Sequence, residues 1–184
     1  MLSDFLAAQV PHIRAAAVSP RSVRWIPPIL PHAKLNFDAA FFKDLGSAGI
    51  GVVVRNNSGS VRAALSQRVP IPFSAATVEV LACRRAMEFA KEIVALDCIF
   101  EGDAEVLITA ICKKDVGHPE YGHVIEDNLV LAREFHFNSF CHVRRSGNQV
   151  AHHLARRSKS GCELQVWFDT TPKDIAPLVS RDVL

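Results

Sequence analysis

Between residues 34 and 69 three strand-like runs follow one another with only short turns between them. Parallel neighbours need a crossover of a dozen or more residues, so runs joined this tightly imply an antiparallel meander. The first run, 34–42, is short, apolar and rich in phenylalanine, with a proline-rich segment before it and the turn Asp44-Leu45-Gly46-Ser47 after it. The second, 48–55, carries Val52-Val53-Val54. Asn56-Asn57-Ser58-Gly59 then reads as a hairpin turn, because Asn and Gly tolerate positive φ. The third, 61–69, closes at Pro70 and Pro72.

Beyond the meander the pattern changes. A long helix is expected over about 74–95, with Ser74 as its N-cap. A fourth strand follows at 97–101, centred on Cys98-Ile99-Phe100, then helices at about 104–114 and 121–134, separated by Val116-Gly117-His118-Pro119-Glu120. A fifth strand at 135–143 and a last helix at about 148–159 complete the order β-β-β-α-β-α-α-β-α. Strands alternating with helices are added in parallel through right-handed crossovers. The expected fold class is therefore α/β: a five-stranded mixed sheet, three strands antiparallel and two parallel, flanked by helices, with the first strand in the middle.

The 34–160 domain is bracketed by two less regular segments. Residues 1–33 read as an N-terminal linker or fragment edge, with short helical turns at 7–10 and 13–18 and with Trp25, Ile26, Ile29 and Leu30 able to pack back on the domain. Residues 161–184, with Trp167, Phe168, Pro172, Ile175 and Leu178, read as an irregular apolar tail laid over it, a partner-binding segment being the alternative. At 184 residues and 49% hydrophobic the chain suits one domain with a sizeable core. No apolar run approaches the roughly 20 residues of a membrane span, and Met1-Leu2-Ser3-Asp4-Phe5 lacks a basic signal-peptide start. The five cysteines form no C-x-x-C pair and the eight histidines no H-E-x-x-H. A reducing intracellular location, nucleus or cytoplasm, is expected. A net charge of +2 leaves any nucleic-acid surface to a local basic patch.

Three carboxylates sit where carboxylates are unusual. Asp38 is in the middle of the first strand, on the face of Asn36, Ala40 and Phe42. Glu79 falls within the long helix's apolar arc of Ala75, Val78, Ala82, Cys83, Ala86, Phe89, Ala90 and Ile93. Asp103 stands where the fourth strand meets the next helix. Each has an ordinary reading: a salt bridge for Asp38, a backbone hydrogen bond for Glu79, a helix N-cap for Asp103. Converging, they would repel one another unless a divalent cation joined them. Mg²⁺ suits such hard oxygen donors, and two such ions about 4 Å apart can drive hydrolysis of a phosphodiester. Glu101 and Glu105 read as solvated. The last helix carries Val150, Ala151, Leu154 and Ala155 on its apolar face, with Asn148 and His152 one turn apart at the edge. Asn148 is a cap or a site residue, His152 a surface or a site residue. Arg144, Arg145, Arg156, Arg157 and Lys159 make either a solvated helix face or a set of phosphate contacts.

In this order, Lys34-x-Asn36-x-Asp38, the hairpin, Thr77-x-Glu79-x-x-Ala82, Glu101-Gly102-Asp103 and Asn148-x-x-Ala151-His152-x-Leu154-Ala155 resemble ribonuclease H-like domains. The likeness is to the plant reverse-transcriptase-like branch, related to the ribonuclease H modules of non-LTR retrotransposons, and spans residues 25–167. The resemblance implies endonucleolytic, Mg²⁺-dependent hydrolysis of the RNA strand of RNA–DNA hybrids, with Mn²⁺ as an alternative ion. It implies Asp38, Glu79 and Asp103 as metal ligands and catalytic residues, with His152 at the fourth catalytic position. Asn148, Arg144, Arg145 and Arg156 are the candidate nucleic-acid contacts. A monomer is expected. Two departures stand out: Ala39 follows the first Asp where many relatives have Gly, and His152 replaces a fourth carboxylate. A histidine adds no negative charge, so a second metal ion should bind less tightly. The loop before the last helix is also short, and His142 is the nearest histidine to it. The alternatives are a catalytically silent nucleic-acid-binding or protein-interaction module, or an exonuclease or integrase-like enzyme on the same fold.

Overall fold

In the computed structural model, residues 24–70 and 74–183 are described; the proposed helical turns at 7–10 and 13–18, and Pro72, lie outside them. The elements are β1 (Ala33–Phe42), β2 (Ser47–Arg55), β3 (Val61–Pro70), α1 (Ala75–Glu92), β4 (Asp97–Gly102), α2 (Glu105–Lys113), α3 (Gly122–Ala132), β5 (Phe137–His142), α4 (Gln149–Arg157), β6 (Leu164–Phe168) and α5 (Ala176–Val183). They build one sheet in the order β5-β4-β1-β2-β3-β6. β1, β2 and β3 pair antiparallel, and β4 and β5 add in parallel, which leaves β1 inside the sheet as the topology requires.

Local chemistry explains the element ends. Asn56 Oδ1 accepts hydrogen bonds from the backbone N–H groups of Ser58 and Ser60, which folds the hairpin turn between β2 and β3. Ser74 Oγ accepts from Thr77 N at 3.3 Å and caps α1. The helix stops at Glu92 rather than near Ala95, and Val94 turns to positive φ just beyond it. β5 begins at Phe137; Phe135 is instead a core residue, edge-on to Phe100.

Alternation along the strands creates two apolar faces. Leu35, Phe37, Ile50, Val52, Val54, Ala63 and Leu65 pack with α1, α2 and α3 in the larger core. Val53, Val61 and Ala64 face the other way and pack with Val150 and Leu154 of α4 and with Ile175. On that second face, α4 lies directly on β2 because Gly49 and Gly51 have no side chains. A Cβ at either position would overlap the backbone of Ala155 or Ala151. Gly51 pairs with Asp38 in the sheet register, so this close approach seats α4 over the middle of β1.

Two expectations are corrected. The sheet has six strands rather than five, and the tail is not irregular. β6 pairs antiparallel with β3, and α5 follows it. The residues that read as a loose apolar strap fit both elements. Ile175 is fully buried, and Trp167, Leu178 and Val179 pack against the second core. A five-residue strand without strict alternation carries too little periodicity to be recognised alone. At the other end Trp25 is buried, whereas Ile26, Ile29 and Leu30 stay exposed. Among the described residues no helix is long and apolar enough to cross a membrane.

Candidate active site

The close seat of α4 and the parallel pairing of β4 bring four elements to one point. Asp38 comes from β1, Glu79 from the first turns of α1, Asp103 from the end of β4 and His152 from α4. A carboxylate oxygen from each of Asp38, Glu79 and Asp103 lies within 4.8 Å of the others. Asp38 has no solvent exposure, and among the described residues its Oδ1 has no hydrogen-bond partner. Burying such an atom is costly unless something else meets it.

The remaining contacts set the chemistry. His152 Nδ1 is 2.6 Å from Asp38 Oδ2. Arg145 Nη1 donates to Asp103 Oδ2 at 3.1 Å, and its Nη2 lies 2.8 and 3.2 Å from the two ring nitrogens of His152. A guanidinium can only donate. Which contact bonds depends on the tautomer: a ring proton on Nδ1 is donated to Asp38 and leaves Nε2 to accept from Arg145, whereas a ring proton on Nε2 leaves Nδ1 as the acceptor. Asn148 Nδ2 donates to the Phe37 carbonyl at 2.9 Å and approaches Asp103 Oδ1 at 3.5 Å, tying α4 to both acid-bearing strands.

Electrostatics follow the burial. The Asp38 carboxyl is pushed up to about 9, first by burial and then by repulsion from Glu79 and Asp103. Glu79 is pushed up to about 7 by burial and by Asp103. His152 is held below its ordinary value by burial and by the charges of Arg145 and Arg156. Near neutral pH the metal-free site therefore retains protons on carboxyl groups and a neutral imidazole. The donor set fits a hard divalent ion: three carboxylates at one point, one fully buried and short of a partner, and a charge surplus that such an ion would replace.

This arrangement agrees with the comparisons to known proteins. The sequence pattern of the reverse transcriptase-like family matches residues 36–158. The chain belongs to that family. The fold of this reverse transcriptase-like chain is ribonuclease H-like. Ribonuclease H1 from the halophilic archaeon Halobacterium salinarum NRC-1 superposes with a TM-score of 0.65 at 22% identity, over 70% of this chain and 97% of its own. The N-terminal ribonuclease H domain of a Mycobacterium tuberculosis protein gives 0.62 at 20% identity, over 69% and 92%. LC11 ribonuclease H1, from compost and solved in complex with an RNA/DNA hybrid, gives 0.59 at 21%, over 68% and 94%. No curated protein matches the chain.

Within the reverse transcriptase-like domain, Asp38, Glu79, Asp103, His152, Asn148 and Arg145 come together. Asp103 does not cap α2: that helix starts after Ala104 with no side-chain cap. Asn148 precedes α4 but caps nothing with its amide, which is committed to Phe37, Asp103 and Asn36. Arg144 and Arg156 are exposed outside this cluster. Arg157 and Lys159 pair with Asp174 and Asp44. Glu105 is exposed, as expected, but Glu101 is not solvated. It is buried, 2.6 Å from Lys34 Nζ, and accepts from Asn36 Nδ2 at 3.1 Å.

Glu101 belongs to a buried network that the sequence reading did not assemble. Asn36 Oδ1 accepts from Trp25 Nε1 at 2.9 Å and from Arg55 Nη2 at 3.1 Å, and Asn36 Nδ2 donates to Glu101 and to Asn148. Arg55 is fully buried, stacks 3.8 Å over the Trp25 ring and pairs with Asp182 at 2.7 Å. The available signal was the polar stripe Lys34, Asn36, Asp38 on one strand face, and an arginine ending a valine-rich strand. The partners Trp25 and Asp182 lie outside the 34–160 span and gave no local signal.

Proposed function

We propose that this domain hydrolyses the RNA strand of RNA–DNA hybrids in a reaction that needs Mg²⁺, or Mn²⁺ in its place. The observation that carries the reading is the convergence of Asp38, Glu79 and Asp103 within 4.8 Å, with Asp38 fully buried. In this reading these three residues hold the ion. Bound there, it would polarise the scissile phosphate and make water a better nucleophile. Water adds to phosphorus as the bond to the 3′-oxygen breaks, which leaves a 3′-hydroxyl and a 5′-phosphate. Asn148 and Arg145 keep Asp103 in place, and His152 fixes Asp38 through its Nδ1. Exposed Arg144 and Arg156 give salt-dependent phosphate contacts. The family membership and the ribonuclease H-like fold support this reading; descent from a plant retroelement is proposed on the sequence resemblance alone.

A second reading, a hybrid-binding module without cleavage, draws on the His152–Asp38 hydrogen bond, which engages one of the two oxygens of the central acid. One assay separates the two. The purified chain is incubated with an RNA–DNA hybrid, single-stranded RNA or duplex DNA, with Mg²⁺ or Mn²⁺. Cleavage of the hybrid alone, lost in Asp38→Asn, supports the enzyme. Hybrid binding without cleavage under either ion supports the module.

A further inference from the structure

The acidic cluster already contains a cation of its own. Arg145 opens the short 3-10 turn Arg145–Gly147. Its carbonyl accepts from Gln149 Nε2 at 2.8 Å and from the Asn148 N–H at 3.1 Å, so its backbone is fastened to the start of α4. From that anchor the guanidinium reaches Asp103 on one side and His152 on the other. A guanidinium keeps its positive charge at any working pH. Asp38, Glu79 and Asp103 carry three negative charges when ionised; one divalent ion and Arg145 balance them.

A second divalent ion binds more tightly where a further anionic ligand supplements those that hold the first. Across from Asp38 the structure offers a histidine rather than a carboxylate, and the neighbouring space is held by a fixed positive charge. We infer that this site takes a single divalent ion and that Arg145 is its second cation, supplying the charge that a second ion supplies in a two-ion site. The inference rests on the metal-dependent reading above. The Arg145 side chain is 56% exposed, so the guanidinium donors not facing Asp103 and His152 are open to a phosphate oxygen. His152 and Arg145 act as a pair: the ring accepts from the guanidinium, whereas an acid there would neutralise it.

The test is a titration of Mn²⁺ alone into the full chain after chelation, read by calorimetry and by the electron paramagnetic resonance signal of unbound Mn²⁺. The wild type should bind one ion per chain, and Asp38→Asn should lose that binding. Arg145→Gln removes the charge at an exposed position and should bind Mn²⁺ about tenfold more tightly, as expected for deleting a unit charge a few ångströms from a divalent ion near a protein surface. The double variant Arg145→Gln/His152→Asp should bind two ions. Arg145→Lys keeps the charge and should keep the single-ion stoichiometry, which separates charge from loss of the side chain. Two ions in the wild type would overturn the inference, as would an Arg145→Gln chain of native melting temperature with unchanged affinity and stoichiometry. Hybrid cleavage is scored separately. A chain that binds one Mn²⁺ in this Arg145-dependent way but leaves hybrids intact defeats the proposed activity and leaves the inference standing.

Discussion

Two polar clusters, one buried throughout and one buried only at Asp38, share one face of β1. Around Asn36, the charges are Lys34 and Arg55 against Glu101 and Asp182, two of each sign. Both polar atoms of the Asn36 amide are fully engaged, and the Trp25 ring covers Arg55. One turn of the pleat away, around Asp38, three carboxyl groups face a single arginine and a neutral histidine. Desolvation penalises both clusters, but only the first is balanced from within the chain. A balanced cluster fastens the structure together; an unbalanced one that opens toward solvent at Arg145 retains room for a ligand of opposite charge. Asn148 joins the two, bonded to Asn36 on one side and Asp103 on the other.

Substitutions in each cluster tell the two apart. The largest effect is expected on cleavage: Asp38→Asn should reduce hybrid hydrolysis to background, while the melting temperature in metal-free buffer at pH 8 rises, because a neutral amide replaces a carboxyl that resists ionisation. The balanced cluster should respond in the opposite way. Asp182→Ala leaves Arg55 buried without its counter-charge and should cost about 3–5 kcal/mol in chemical denaturation. Its effect on activity should follow the fraction of folded chain.

The pH dependence of stability is the next largest. Asp38 and Glu79 titrate at about 9 and about 7 in the folded chain, against ordinary values of 3.8 and 4.5. The folded state therefore binds more protons than the unfolded state between those limits. Their contribution is complete below about pH 4 and is lost as pH rises through about 7 and then 9, with a slope of about 1.4 kcal/mol per pH unit for each proton retained. Urea denaturation of the metal-free chain at several pH values should show this decline, and Asp38→Asn should flatten it. Smaller still is His152→Asp, whose carboxylate neutralises Arg145 and should lower hybrid cleavage severalfold at limiting Mg²⁺; a rise would instead show that a missing fourth negative charge limits the reaction.

Much of this was legible in the sequence, for physical reasons. The hairpin turn at Asn56–Gly59, the Ser74 cap and the unusual placing of Asp38 and Glu79 follow from local rules: turn chemistry, capping and a carboxylate inside a strand or an apolar arc. The central place of β1 followed from joining short turns to right-handed crossovers. The rest depends on contacts between distant segments. Trp25 and Asp182 meet Arg55 only after the sheet is formed, and β6 is a strand because β3 offers it an open edge. Glu101 looked solvated because a glutamate at a strand end usually is; its burial needs Lys34 from the neighbouring strand. Gly49 and Gly51 carry no sign in the local sequence that they set how near α4 comes to Asp38.

The imbalance around Asp38 is the central claim, and melting with and without a divalent ion tests it most directly. At pH 8, adding Mn²⁺ should raise the melting temperature of the wild type by several degrees and leave Asp38→Asn unchanged, while Asp182→Ala, though less stable, should gain as much as the wild type. Equal gains in the wild type and Asp38→Asn, or no gain in the wild type, would contradict it.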